Sequence, residues 1–279
     1  MPPLLSRPTA QAQSFRLRVA ALAAAVLLCI GIAFHFPAIA QDQAYHHFAD
    51  TRTIAGIPNF WNVASNVLFL IFGVLGMRFV FRRHNLDDPH RFFVPVERWP
   101  YFIFFAGVAL TAFGSAYYHW NPNNYTLVWD RLPMTLGFMS LLAAMIAERI
   151  SVRAGIASLA PLLAFGLVSV EFWNVTESRH QGDLRLYALT QFGSLLVLLL
   201  MLALFPPRYT RGSDFLVALA LYALAKLLEV GDAQVYRATH GLVSGHALKH
   251  IAAALAAYWL LRMLQRRVRI ASAAATNPA

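Results

Sequence analysis

From Asn59 onward the chain alternates long apolar runs with short polar breaks. The runs fall near 59–78, 101–119, 127–148, 154–173, 185–205, 214–230 and 241–262. Each is about long enough to cross a bilayer as a helix. None has the strict alternation of a barrel strand, and in lipid a helix is the one form in which a single span satisfies its own backbone. A further apolar run, Val19 to Phe36, precedes them and ends at Pro37-Ala38-Ile39-Ala40-Gln41. Ala38-x-Ala40 resembles a signal-peptidase site, so this run is either a retained helix or a cleaved signal, and the long tail before it favours retention. The pattern predicts an all-α, polytopic membrane helix bundle. A seven-helix core occupies 41–264, one additional N-terminal hydrophobic helix occupies 19–40, and loose polar tails lie at 1–18 and 265–279.

Composition agrees with that pattern. The 279 residues are 58% hydrophobic and 13% charged, where a soluble domain carries about 25% charged residues. In a soluble chain a net charge of +10 would suggest nucleic acid. Here the arginines sit in short loops, so topology explains them and no nucleic-acid partner is expected. With the N-terminus cytoplasmic, one side carries Arg7, Arg16, Arg18, Arg78, Arg82, Arg83, Arg91, Arg98, Arg149, Arg153, Arg208, Arg211, Arg262, Arg266, Arg267 and Arg269. The other side carries only Arg52, Arg179, Arg185 and Arg237. The bias predicts cytoplasmic N- and C-termini in a plasma (inner) membrane. Cys29 stands alone, which excludes a disulfide framework and a thiolate metal site.

Ionisable residues inside spans are costly and functional by default. His246 and His250 are one helical turn apart and share a face. His119 ends the span 101–119, and Ser115 lies one turn deeper on the same face. Asp130 opens the following span. The arginine map puts all five near the non-cytoplasmic face. Three imidazoles with an open fourth position make a catalytic zinc site, a nearby carboxylate serves as general base and then acid, and a hydroxyl donates to a developing oxyanion. These are the parts of an amide or ester hydrolase. The bland alternative is interfacial histidines, a Ser115 bonded back to a carbonyl, and an Asp130 that only caps its helix. Lys226 and Glu229 are spaced to pair on one helix. Arg131 follows Asp130 directly, points another way and needs a partner from elsewhere. His46 and His47 are read either as a shield over the site or as ordinary loop histidines. His35, His84, His90, His180 and His240 are read as loop or interfacial residues.

Four ordered motifs carry a resemblance. They are Asn62-Val63-Ala64-Ser65-Asn66, Gly114-Ser115-Ala116-Tyr117-Tyr118-His119, Asp130-Arg131-Leu132-Pro133-Met134 and His246-Ala247-Leu248-Lys249-His250. In order and spacing they resemble the alkaline ceramidase family, within the seven-span membrane hydrolase superfamily that includes the progestin and adiponectin receptors. The match covers roughly residues 42 to 264. The resemblance implies Zn2+ held by His119, His246 and His250, Asp130 as acid/base, and Ser115 as oxyanion donor. It also implies cleavage of the N-acyl amide of ceramide, or of a related membrane lipid, to fatty acid and amine.

Three departures stand out. The family's acidic calcium-binding segment is reduced here to Asp50-Thr51-Arg52 and Asn59, too few carboxylates for a calcium cage. This puts Ca2+ in question, and Asp50, Arg52 and Asn59 are expected to form a polar network instead. Arg131 stands where the family has Glu, and Lys249 where an aromatic is common. The two added cations point toward a different, anionic headgroup, with snorkelling to the interface as the bland reading of Lys249. Ser65, Asn66, Arg131, Lys249 and Glu229 join Asp50, Arg52 and Asn59 as residues placed around the site. Competing readings are a receptor-like or other lipid-hydrolase member of the superfamily, a haem protein using paired histidines, and a transporter with Lys226, Glu229 and Asp232 as an ion path.

Overall fold

A computed structural model describes residues 10–82 and 91–270, and nine helices account for the architecture of these described residues. The helices are α1 (Ala10–His35), α2 (Phe60–Val80), α3 (Pro95–Trp120), α4 (Asn124–Arg149), α5 (Val152–Ser178), α6 (Arg185–Leu204), α7 (Asp214–Val230), the short α8 (Asp232–Ala238) and α9 (Gly245–Arg266). Among the described residues extended structure is limited to two isolated bridges, Ile54 with Ile57 and Tyr209 with Arg269. Seven helices, α1 to α6 and α9, are long and apolar enough to cross a membrane, so the chain is a multi-pass helical membrane protein. The sixth core span of the sequence pattern, α7, has 17 residues, a rise of about 25 Å against a hydrocarbon core of about 30 Å.

Two expected boundaries shift. Residues 10–18, read as part of a loose tail, are the first turns of α1. Arg16 and Arg18 interrupt the apolar run but are good helix formers. At the other end the chain does not leave the bundle at 265. Arg267 is buried among Glu148, Tyr101 and Arg91, and the Thr210 N–H donates to the Val268 carbonyl at 2.9 Å. Arg7, Arg83, His84, His90 and residues 271–279 lie outside the described residues.

The centre of the bundle is the crossing of α3 and α4. Pro133 lies inside α4 and has no N–H to give to the carbonyl four residues back, that of Trp129. That freed carbonyl faces Gly114 of α3, where an added Cβ would overlap it. Glycine there lets the two backbones meet. Ser115 and Asp130 are the next residues along each helix, so the close approach sets them side by side.

Candidate metal centre

Each histidine is delivered by a well-defined helix end. α9 begins at Ser244, whose Oγ accepts from the Ala247 N–H at 3.1 Å and donates to Asn62 Oδ1 at 3.3 Å. Asp232 Oδ1 accepts the next exposed donor, the His246 N–H, at 2.8 Å. An anionic side chain on the orphan amides of a first turn is the favourable arrangement there. Gly245 allows this turn to lie against the α7–α8 junction, since a Cβ would stand 2.8 Å from the Asp232 Cα. On α3, the His119 carbonyl accepts from Asn59 Nδ2 at 2.9 Å. Asn59 itself takes the left-handed conformation, with φ of 48°, which asparagine tolerates better than most residues.

The three rings are buried and meet through their Nε2 atoms. His119 Nε2 is 3.2 Å from His250 Nε2 and 3.3 Å from His246 Nε2, and the ligand atoms of all three lie within 4.8 Å of one another. Nitrogens bound 2.0–2.1 Å from a tetrahedral ion stand about 3.3–3.4 Å apart. A single Nε2 cannot satisfy both of its neighbours by hydrogen bonding, whereas a cation at their centre would accept all three lone pairs. The trio therefore fits a metal ion. His250 Nδ1 is 2.8 Å from Ser65 Oγ. With Nε2 turned to the metal position, Nδ1 carries the proton and donates to Ser65, which donates on to the Asn62 carbonyl at 3.3 Å. Ser65 and Asn66 form the break inside α2, where Asn66 Nδ2 donates to the Asn62 carbonyl at 2.7 Å.

Asp130 and Ser115 are buried, and the Ser115 hydroxyl lies near enough to the Asp130 carboxylate to favour its charge. The bland role for Asp130 is overturned. Asn123 caps α4 through a reciprocal bond with Thr126, and Asp130 sits almost two turns further in. Both residues line a cavity of about 490 Å³ with His250, Lys249, Lys226 and Glu229 at its polar end. Its deeper walls are apolar, from Phe69, Phe104, Leu141 and Leu198 among others. Glu229 Oε1 accepts from Lys249 Nζ at 2.6 Å and from the Tyr45 hydroxyl at 2.9 Å, and Glu229 pairs with Lys226 as its spacing on α7 predicts. Lys249 is thus held inward rather than snorkelling outward.

The partner missing for Arg131 is Gln41, whose Oε1 accepts from Arg131 Nη2 at 2.6 Å. The guanidinium also stacks on Trp173 at 4.2 Å and Tyr187 at 4.7 Å. Of the expected polar network, Asp50 and Arg52 do pair, at 2.6 Å, and Arg52 also donates to the Leu242 carbonyl at 2.9 Å. Asn59 goes instead to His119. Burial, the largest influence, pushes the Asp50 carboxyl up, but the side-chain and backbone hydrogen bonds from Arg52 outweigh it and hold the group below its ordinary value.

Phe48 carried no signal in the sequence, and Asp232 and His46 take roles other than those read there. Phe48 covers the trio, with its ring 4.8 Å from that of His119 and 4.5 Å from that of His246. Asp232 ties the strap before α2 to α9, because its second oxygen accepts from the Ala49 N–H at 2.8 Å. His46 bonds Tyr118 and Asn124 rather than the trio. The convergence of three Nε2 atoms leaves no room for a haem between paired histidines. No protein-family model and no curated protein sequence matches the chain, so any assignment of function rests on the residues and their geometry.

Proposed function

We propose that the protein is a zinc-dependent intramembrane amidohydrolase of the alkaline ceramidase type, cleaving the N-acyl amide of ceramide or a related lipid to fatty acid and amine. The observation that carries this reading is the meeting of three buried Nε2 atoms, with His250 among them lining an apolar cavity that also presents Asp130 and Ser115. A donor set of three histidines with an open position suits zinc, which would supply Lewis acidity and lower the pKa of a bound water to about 7. Asp130 takes a proton from the attacking water and returns it to the amide nitrogen as the C–N bond breaks. Ser115 turns its hydroxyl toward the oxygen on which charge develops. Phe48 and the apolar walls exclude bulk water and hold the acyl chain, so the amide reaches the histidines while the tail stays among hydrocarbon.

The arginine distribution supports cytoplasmic termini and a site near the non-cytoplasmic face of a plasma or inner membrane. Within α3, Arg98 and His119 are separated by about 32 Å at a helical rise, which suits an arginine-rich end and a histidine end at opposite faces. The test is direct. Purified protein should contain about one zinc per chain and release fatty acid from a panel of N-acyl lipids. His250→Ala should lose both. Zinc-free protein with full turnover would overturn the reading.

A further inference from the structure

Resting on that reading, we propose that the polar end of the cavity is an anion subsite. The preferred substrate is an N-acyl lipid whose amine portion carries a carboxylate or phosphate close to the amide. The geometry points there through Glu229. Two ammonium groups, Lys226 on α7 and Lys249 on α9, share its one carboxylate, and the Tyr45 hydroxyl donates to the same oxygen as Lys249. Three donors on one carboxylate leave ammonium hydrogens unused. Both lysines line the cavity that Asp130 and Ser115 also line. The Lys249 side chain is 14% exposed, that of Lys226 33%, and that of Glu229 11%.

The third cation of the wall, Arg131, is bonded to the amide of Gln41 and stacked on aromatic rings, and among the described residues no carboxylate pairs with it. Along the cavity wall three cationic side chains therefore face two inner carboxylates, Asp130 and Glu229, before any divalent metal is counted; Asp232, whose charge also reaches Lys249, lies behind the wall with its two oxygens taken by the Ala49 and His246 N–H groups. Asp42 also borders the cavity, but it is exposed and its carboxylate accepts from the Ala44 N–H at 2.9 Å. Excess positive charge in a low-dielectric cavity is unfavourable unless an anion joins it. A neutral headgroup such as a sphingoid diol would leave the surplus uncompensated. An oxyacid group on the amine side would take hydrogen bonds from Lys226 and Lys249 while the acyl chain lies along the apolar walls. Lys249 neighbours the ligand His250 in sequence, so the same contact would orient the amide toward the histidines.

The experiment uses the full chain, purified with zinc. Hydrolysis and binding are measured for N-palmitoylglycine and the phosphate monoester of ceramide, against N-palmitoylethanolamine and ceramide. The anionic members should be preferred in kcat/KM by about tenfold or more, the scale of one charge-assisted hydrogen bond. That ratio should fall toward one in Lys226→Gln and be kept in Lys226→Arg, with zinc content reporting intact folding. The carboxylate and phosphate arms identify which oxyacid is used. Equal or faster cleavage of the neutral lipids overturns the subsite and leaves the amidase reading. Binding that prefers the anionic lipids through Lys226, without cleavage of any lipid, removes the amidase reading and keeps the subsite. Neither cleavage nor preferential binding removes both.

Discussion

Asp130 is a buried carboxylate in the wall of the cavity that also presents His250 and Ser115. It is not a cap, and its main polar influences are the Lys249 ammonium and the Ser115 hydroxyl. In the proposed reaction it moves protons. Asp130→Asn keeps the shape and removes the proton-carrying oxygen, so kcat should fall by about 10²–10⁴-fold, the usual worth of a general acid–base. Zinc content should stay at the wild-type level. Turnover that survives with zinc in place would remove Asp130 from the mechanism. The residues named from the sequence at this scale were those with a chemical type and a helical spacing: His119 with Ser115, and His246 with His250. Gln41 and Phe48 were illegible because they act from the polar segment before α2, and Asp232, named only for an ion path, acts from the short α8. There the chain has no period, and a phenylalanine in a membrane protein has nothing to distinguish it.

Among the elements, the pairing of Pro133 with Gly114 decides how closely α3 and α4 approach, and so where Ser115 stands relative to Asp130. Gly114→Val would drive a side chain into the Trp129 carbonyl. The helices should remain, since each is required by lipid, but they should part by a fraction of a turn. A misplacement of about 1 Å costs about 10²-fold in rate. The expected outcome is unchanged helical content by circular dichroism with strongly reduced fatty-acid release, and full activity would show that the contact is not limiting. Most of the element plan could be read in advance because each crossing demands an apolar run of near-fixed length. The start of α1 at Ala10 could not, since Arg16 and Arg18 break hydrophobicity without breaking a helix. The meeting of Gly114 with a freed carbonyl is a three-dimensional fact that neither motif reveals by itself.

For the whole molecule, the proposed orientation places the loop between α3 and α4, which contains Asn123, outside the cell, and the Arg208–Arg211 loop inside. Single cysteines at Asn123 and at Thr210, in a background with Cys29 replaced, should therefore label from opposite sides of the membrane. Labelling of Asn123 from the cytoplasm would invert the topology and with it the route by which lipid reaches the site.

The histidine trio also has a consequence for how the chain holds together. His119 belongs to α3 and His246 to α9, 127 residues later. An ion gripped by both is a removable staple across most of the bundle. Because it binds the folded arrangement and not the scattered one, its occupancy adds to stability by mass action, about 2.7 kcal/mol at a hundredfold excess over its dissociation constant. The same atom that would do the chemistry would then also set how firmly the last helix is fastened to the rest, and stripping it would loosen the protein from its active site outward.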